Sequence, residues 1–572
     1  MVTGYPRFFI PRVVERLAER LLGHFTQAHS HQETDIDLQG KHALILSTAH
    51  HALMCRQLFR QKLDPDSPNV NFDILIAHWD GTITAIGEND DLPSQKPPPP
   101  LGQEDIFLLP YPVDMVPVAK SFLQHTGFGI SSRRATTGVH HATPTPFDED
   151  TNAKAISAIR TRLANCYSTP TLPVPPSNVF LYPTGMSSIA AISLAIKSLV
   201  LPKLQSNGKR PPSVALFGFL YVDTLKLLSN LLGFTLHLYP FSTPLSSSLS
   251  DLLSSGKLEI DLLITEFPGN PLLKSPDLTT LYHLSQKYGF ALVVDDTVGG
   301  TGANVNVLRK CDAVVSSLTK MASGGCDVMG GCLVLNPDAA KYVGLRETLE
   351  GGRKGEDGTE EGVGSDGQRD LGYGAELEVD GGSEGQGGEL PAIGKGAEVK
   401  VERKEETERS WFPADIAVME RNSRDFIHRV RKASSNAEWL VHNLLRPHTS
   451  VQEVYYPKGS STEGIYEQFR VKPTADDEGE GGYSFLVSIK FQTPAMARAF
   501  YDALDVAKGP SLGTNFTLCC AYTLLSHYRE LEWAAEFGVV EDLVRISVGL
   551  EENEWLGERV GRALKAAGEC EG

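Results

Sequence analysis

The chain has 572 residues, of which 41% are hydrophobic and 22% charged. That is an ordinary globular composition, with length for two to four domains and large buried cores. Its formal charge of −18 excludes the basic face that a nucleic-acid footprint requires, so no nucleic-acid partner is expected.

Much of that charge is local: residues 350–410 hold 17 Asp/Glu against 8 Lys/Arg. The cysteines at 55, 166, 311, 326, 332, 519, 520 and 570 form no CxxC pair and no zinc-spaced cluster. No metal site is therefore expected, and the thiols read as reduced. The chain has no apolar run of about 18 residues and no secretory h-region. Glu15 and Glu19, interleaved with Arg12, Arg16 and Arg20, count against a mitochondrial presequence. The expectation is a cytoplasmic protein with no membrane partner.

In chain order, residues 1–125 read as an accessory α/β region. It has helical patterns at Arg12–His24 and His50–Gln61 and short strands at Asn71–Ala77 and Asp105–Leu109. A proline run at 95–100 separates two of these pieces. Residues 126–345 form the large domain. Apolar strands are expected at Asn178–Tyr182, Ser213–Gly218, Leu236–Tyr239, Asp261–Glu266, Phe290–Asp295, Ala313–Ser317 and Cys332–Asn336. Helical patterns intervene at Gly185–Leu199, Val222–Leu232 and Asp277–Tyr288. Unbroken Val/Leu/Ile strands alternating with helices predict an α/β fold, a mostly parallel sheet covered on both faces.

Residues 346–410 read as a disordered acidic insertion. Sixteen glycines between 351 and 400 leave too little apolar surface to offset ordering entropy. Residues 411–572 read as a smaller C-terminal α/β domain. Its expected elements are a helical pattern at Ile416–Leu445, a strand at Tyr483–Phe491, a helix at Ala495–Asp505 and a last strand at Leu543–Val548, with an acidic loop at Asp476–Gly482.

In open α/β sheets ligands bind at the carboxyl ends of the strands, and the chemistry-bearing residues fall there. Phe290–Val294 runs into Asp295, and the strand beginning at Ala313 runs into Ser317, Thr319 and Lys320. An amine, a carboxylate and neighbouring hydroxyls at adjacent strand ends are the equipment of pyridoxal 5′-phosphate chemistry. The lysine forms a Schiff base with the aldehyde, the carboxylate holds the pyridine nitrogen protonated, and hydroxyls take phosphate.

Four further stretches fit such a site. Thr184-Gly185-Met186 ends a strand and opens a helix whose N-terminus suits a phosphate dianion. Tyr221 opens the next helix and suits stacking on a flat ring. Asn270, in Glu266-Phe-Pro-Gly-Asn-Pro, offers an amide to a ring hydroxyl. Arg545 sits inside an apolar strand, where an unpaired guanidinium is expensive, so an anionic substrate or an internal carboxylate is expected beside it.

Together these residues resemble the Cys/Met-metabolism family of pyridoxal-phosphate enzymes, of fold type I, over roughly residues 120–340 and 411–560. Within it the chain is most similar to the fungal cystathionine γ-synthases. The runs Thr3–Ile10, Gln124–Arg134, Met419–Phe426 and Ser511–Leu518 carry that closer likeness. The resemblance implies that Lys320 is the Schiff-base lysine and Asp295 the partner of the pyridine nitrogen. Tyr221 would stack on the ring with a catalytic share, and Asn270 would contact the 3′-oxygen. Gly185, Met186, Ser317 and Thr319 would hold the phosphate, and Arg545 and Ser511 the substrate carboxylate.

It further implies a homodimer or homotetramer with shared sites, in which Arg133, with Arg134 as fallback, reaches a neighbour's phosphate. The implied reaction is γ-replacement on an O-acyl-homoserine with cysteine as the second substrate, giving cystathionine. A lyase, a sulfhydrylase, another γ-replacement, or a binding protein that has lost activity remain alternatives. The chain departs from the family at Ser131, where tyrosine is usual, at Thr184 and Asp296, and at Thr514-Asn515-Phe516, where many bacterial relatives carry a substrate-recognising glutamate. These departures leave the substrate open.

Overall fold

The computed structural model describes residues 9–29, 38, 40–63, 70–78, 80–87, 104–139, 147–206, 210–240, 245–351, 410–473 and 479–570. Most of the expected acidic insertion, including all of 352–409, lies outside the described residues. Its expected start at 346 falls inside the helix Tyr342–Glu350.

Three sheets organise the chain. The first comprises β1 (His42–Leu46), β2 (Ile74–Ala77), β3 (Ile83–Ile86) and β4 (Ile106–Tyr111), in the antiparallel order β1-β4-β2-β3. Helices Arg12–His29 and Ala49–Lys62 flank it. β1 and β3 were not among the expected elements.

The second sheet holds β5 (Val179–Tyr182), β6 (Ser213–Phe217), β7 (Thr235–Tyr239), β8 (Leu262–Glu266), β9 (Ala291–Asp295), β10 (Ala313–Ser316) and β11 (Gly331–Leu335). Their order is β5-β11-β10-β9-β8-β6-β7. β11 is antiparallel to both neighbours and the remaining pairs are parallel, so the expected mostly parallel sheet is present.

Its strands other than the edge strand β7 are apolar on both faces, because each face is covered. Leu263, Leu292 and Val294 join one buried cluster, and Leu262, Ile264, Ala291 and Val293 the opposite one. Successive side chains point to opposite faces, so an unbroken apolar strand feeds two cores. The first core is covered by Glu149–Tyr167, Leu278–Tyr288 and Phe426–Leu440, the second by Gly185–Ser206. This last helix is apolar enough to cross a membrane by length and composition; its place against the sheet accounts for that composition.

The second core also takes Leu44, Ile74 and Leu109 from the first sheet, so the N-terminal region packs directly onto the large sheet. The helical pattern expected at Val222–Leu232 is an α-turn, Val222–Lys226, continued by a π-turn, Leu227–Leu231.

The third sheet contains β12 (Val451–Tyr455), β13 (Leu486–Phe491), β14 (Ala507–Lys508), β15 (Leu518–Ala521) and β16 (Val544–Ser547), in the order β12-β13-β16-β15-β14. The helical stretch expected at Ile416–Leu445 is two helices, Pro413–Asn422 and Phe426–Leu440, with a π-turn at Val441–Leu445. The break falls at the polar run Asn422-Ser423-Arg424-Asp425, where the Ser423 hydroxyl donates to the Glu420 carbonyl at 3.2 Å. Side chains of this kind compete with helical backbone bonds.

Candidate active site

The carboxyl ends of β6, β8, β9 and β10 face β16 and the loop before β15 across a cavity of about 130 Å³. Among the residues lining it are Gly185, Met186, Tyr221, Asn270, Asp295, Ser317, Thr319, Lys320, Ser511 and Arg545. Ten of the expected site residues thus meet in one cavity. Arg133 does not line it. Its guanidinium donates to Asp415 at 2.7 Å and lies 3.8 Å from Asp327. Arg134, its fallback, is buried and its side chain donates to the carbonyls of Glu104 and Asp105 at 3.2 and 3.0 Å. Successive residues of the helix Ser132–Val139 point about 100° apart, which sends one arginine inward and the other toward Asp415.

The phosphate end is set by the turn from β5 into the helix Gly185–Ser206. Thr184 caps the helix, its hydroxyl accepting from the Ser187 amide at 3.0 Å and its carbonyl from the Ser188 amide at 3.3 Å. The Gly185 and Met186 amides lie ahead of the first helical bond and carry the helix's partial positive charge. A Cβ on Gly185 would stand 2.8 Å from Ser317 Cβ, so the seat requires glycine for close approach. Thr297 fixes Ser317 from below, its hydroxyl accepting from the Ser317 amide at 2.9 Å. The Thr319 hydroxyl donates to the Gly330 carbonyl at 3.3 Å and accepts from the Gly330 amide at 3.1 Å.

Beyond the phosphate seat, Lys320 Nζ donates to Ser511 Oγ at 3.4 Å. Asp295 ends β9 directly opposite Glu266, which ends β8. Burial raises the Asp295 carboxyl above its ordinary value, while the Thr297 amide at 2.9 Å and the nearby Lys320 oppose that rise. Glu266 is pushed up to about 8, first by burial and then by Asp295.

Glu266 was quoted only as part of a proline turn, yet it ties two site residues together. Its carboxyl accepts from the Tyr221 amide at 2.6 Å and the Asn270 amide at 3.0 Å. The one sequence hint was an acid ending an otherwise apolar strand. Asp296 points away from the cavity into the protein. It accepts from the Tyr167 hydroxyl at 2.8 Å and the Gly302 amide at 3.0 Å, and is pushed up to about 7, chiefly by burial.

Arg545 reaches the cavity because strand alternation sends its neighbours Val544 and Ile546 into the core. Its guanidinium is buried and donates to Asn270 Oδ1 at 2.9 Å and to the Pro510 and Ser511 carbonyls at 2.6 and 3.1 Å. Its side-chain hydrogen-bond partners among the described residues are thus an amide and two carbonyls and no carboxylate, which leaves the other expectation, an anionic substrate. The Tyr522 ring lies 4.7 Å over it, and Tyr522 and His527 also line the cavity. Sequence reading missed both, since neither stands at a strand end of the large sheet. Asn515, in the departing run, is held by Arg429 at 2.8 Å and does not line the cavity.

Pyridoxal phosphate fits this donor set. A helix N-terminus and two hydroxyls lie at one end, an acid facing a lysine in the middle, and a flat tyrosine at the rim. A guanidinium with no carboxylate partner among the described residues lines the same cavity.

Comparison with known proteins agrees. Residues 178–565 match the model of the Cys/Met metabolism PLP-dependent enzymes, and 13–131 that of the fungal trans-sulfuration enzyme N-terminal domain. The cystathionine gamma-synthase of Neurospora crassa is 30% identical over 100% of this chain and 93% of its own length. A cystathionine gamma-synthase-like enzyme of Amanita muscaria is 31% identical over 100% and 91%. The fold is shared with the crystal structure of cystathionine gamma synthase from Xanthomonas oryzae pv. oryzae. That structure aligns at TM-score 0.50 and 21% identity over 75% of this chain and 90% of its own. The chain belongs to the Cys/Met metabolism PLP-dependent enzymes and takes pyridoxal phosphate as its cofactor.

Proposed function

We propose that this enzyme carries out γ-replacement on an O-acyl-homoserine, with cysteine as the incoming nucleophile, to form cystathionine. The observation that carries the reading is the Arg545 guanidinium, which has no carboxylate partner among the described residues and lies in the same cavity as Lys320 and Asp295. It supports an α-amino acid whose carboxylate is held while its Cα and side chain are worked upon. The full-length likeness to the Neurospora crassa protein supports the choice of reaction.

When bound, pyridoxal phosphate supplies an aldehyde for the substrate amine and a protonated ring that takes up electrons from Cα. Asp295 would hold the ring nitrogen's proton, Tyr221 the ring face and Asn270 the 3′-oxygen. Gly185, Met186, Ser317 and Thr319 would hold the phosphate. Lys320 Nζ would hold the aldehyde at rest and, when freed by the substrate amine, would take the substrate's Cα proton. A second proton would leave Cβ before the Cγ–O bond breaks, and both would be returned once the thiolate has added. Arg545 and Ser511 keep the carboxylate fixed while the acyl group leaves Cγ as a carboxylate and the thiolate sulfur bonds there. Arg133 would complete a neighbouring subunit's phosphate seat in a homo-oligomer, and the eight free cysteines accord with a cytoplasmic setting.

The test is to incubate one acyl-homoserine with cysteine, with sulfide, or alone, and to identify products by mass. Cystathionine as the main product is the expected result. Homocysteine from sulfide alone, or cleavage of added cystathionine without its synthesis, would replace the reading by a sulfhydrylase or a lyase.

A further inference from the structure

A chain of side chains leads from the protein surface to the Arg545 guanidinium. Glu530 Oε2 lies 3.3 Å from His527 Nδ1, and His527 Nε2 lies 3.4 Å from the Tyr522 hydroxyl. Asn270 Nδ2 donates to that hydroxyl at 3.3 Å, and Asn270 Oδ1 accepts from Arg545 at 2.9 Å. Every member but Glu530 is buried.

The hydrogen-bond directions along this chain admit a self-consistent assignment in which every donor faces an acceptor. Glu530 is held below its ordinary value, first by its bond to His527, and an ionised carboxylate only accepts. With the ring proton on Nδ1 facing Glu530, His527 Nε2 is the acceptor that faces the Tyr522 hydroxyl. The Tyr522 hydroxyl spends its single proton on Nε2 and faces Asn270 with lone pairs alone. Asn270 must then turn its NH2 to Tyr522 and its oxygen to Arg545. The opposite orientation would set the amide oxygen against the tyrosine oxygen and the NH2 against the guanidinium.

We propose that His527 and Glu530 are positioning residues: through the Tyr522 hydroxyl they fix which way the Asn270 amide faces, and so hold Arg545 for the carboxylate of the amino-acid substrate. The inference rests on the amino-acid reading of the cavity and deepens it. It adds residues that touch neither the reacting atoms nor the proton transfers. The chain spans elements far apart in sequence: Asn270 follows β8, Tyr522 and His527 bound the short helix after β15, and Arg545 lies in β16.

The experiment titrates the cofactor-loaded enzyme with glycine, which has a carboxylate, and with methylamine, which has none, following the absorbance of bound cofactor. Tyr522→Phe keeps the ring over Arg545 and removes only the hydroxyl. It should raise the glycine Kd roughly three- to tenfold, the loss of one net hydrogen bond, and leave methylamine within about twofold. His527→Ala should do the same, and His527→Gln, whose amide oxygen can accept from Tyr522, should return the glycine Kd to within about twofold of wild type.

An unchanged glycine Kd in Tyr522→Phe overturns the proposal. So does a His527→Gln variant no better than His527→Ala. Methylamine weakened in parallel with glycine would show that these residues serve packing alone. Neither probe has a leaving group, so failure of the γ-replacement reading appears in product analysis and leaves this titration unaffected.

Discussion

Replacing Gly185 by alanine tests the phosphate seat by geometry. An added Cβ would stand 2.8 Å from Ser317 Cβ, 3.0 Å from its Oγ and 3.1 Å from its Cα, where carbon atoms pack best at about 3.5–4.0 Å. Ser317 cannot retreat freely, because its amide is bonded to Thr297 at 2.9 Å directly after β10. Overpacking of this kind costs about 1–3 kcal/mol. Falling on the seat, it should weaken pyridoxal phosphate binding roughly 5- to 150-fold. The clash is present without cofactor as well and is offset only in part by the helix propensity gained from alanine, up to about 1 kcal/mol, so the apoprotein should also lose a little thermal stability.

The assay is equilibrium titration of apoenzyme with the cofactor by fluorescence. Ser317→Gly removes the two closest contacts, leaving the 3.1 Å approach to Cα. Alone it should weaken binding by one charge-assisted bond, about 1.5–3 kcal/mol. In the double variant the clash is relieved, so the combined loss should fall short of the sum by about 1 kcal/mol or more. Wild-type affinity in Gly185→Ala, or two losses that simply add, would refute the reasoning.

Lys320→Ala should abolish both turnover and the lysine-dependent absorbance of the bound cofactor; turnover on acyl-homoserine plus cysteine in that variant would sink the assignment. Mixing Arg133→Ala chains with Lys320→Ala chains should restore some activity, because in a heterodimer both lesions would fall on one shared site and leave the other complete. A mixture that stays inactive after demonstrated subunit exchange would argue against shared sites. Asp296→Asn should flatten the pH dependence of stability. The Asp296 carboxyl stands at about 7 when folded, against 3.8 for the free group. Its contribution is thus greatest below about 3.8 and lost as pH rises through about 7, by up to ~4 kcal/mol. The variant's Tm relative to wild type should rise between pH 5 and 8, and a constant difference would exclude Asp296 as the source.

The large sheet was legible in the chain because six of its seven strands, all but the edge strand β7, are short buried apolar runs, and a strand buried on both faces admits little else. The ends of those strands were legible for the same reason: Asp295 and Lys320 interrupt patterns that burial would otherwise forbid. Helix Glu149–Tyr167 was not among the expected elements although Ile156, Ile159, Leu163 and Tyr167 recur at helical spacing. β14 and β15 carried too little: two residues, and four that include paired cysteines.

Amino-acid order by itself determined the strand-end chemistry, since an amine and a carboxylate beside hydroxyls in an apolar context declare themselves locally. Tertiary structure alone decided which polar groups face one another. Arg545 finds an amide and two carbonyls instead of a carboxylate, Arg134 turns inward while Arg133 meets Asp415, and Glu266 joins Tyr221 to Asn270. Local sequence sets a side chain's type and its face of a strand. Its hydrogen-bond partner lies 45 residues away for Glu266 and Tyr221, and 275 away for Arg545 and Asn270, a distance only folding closes.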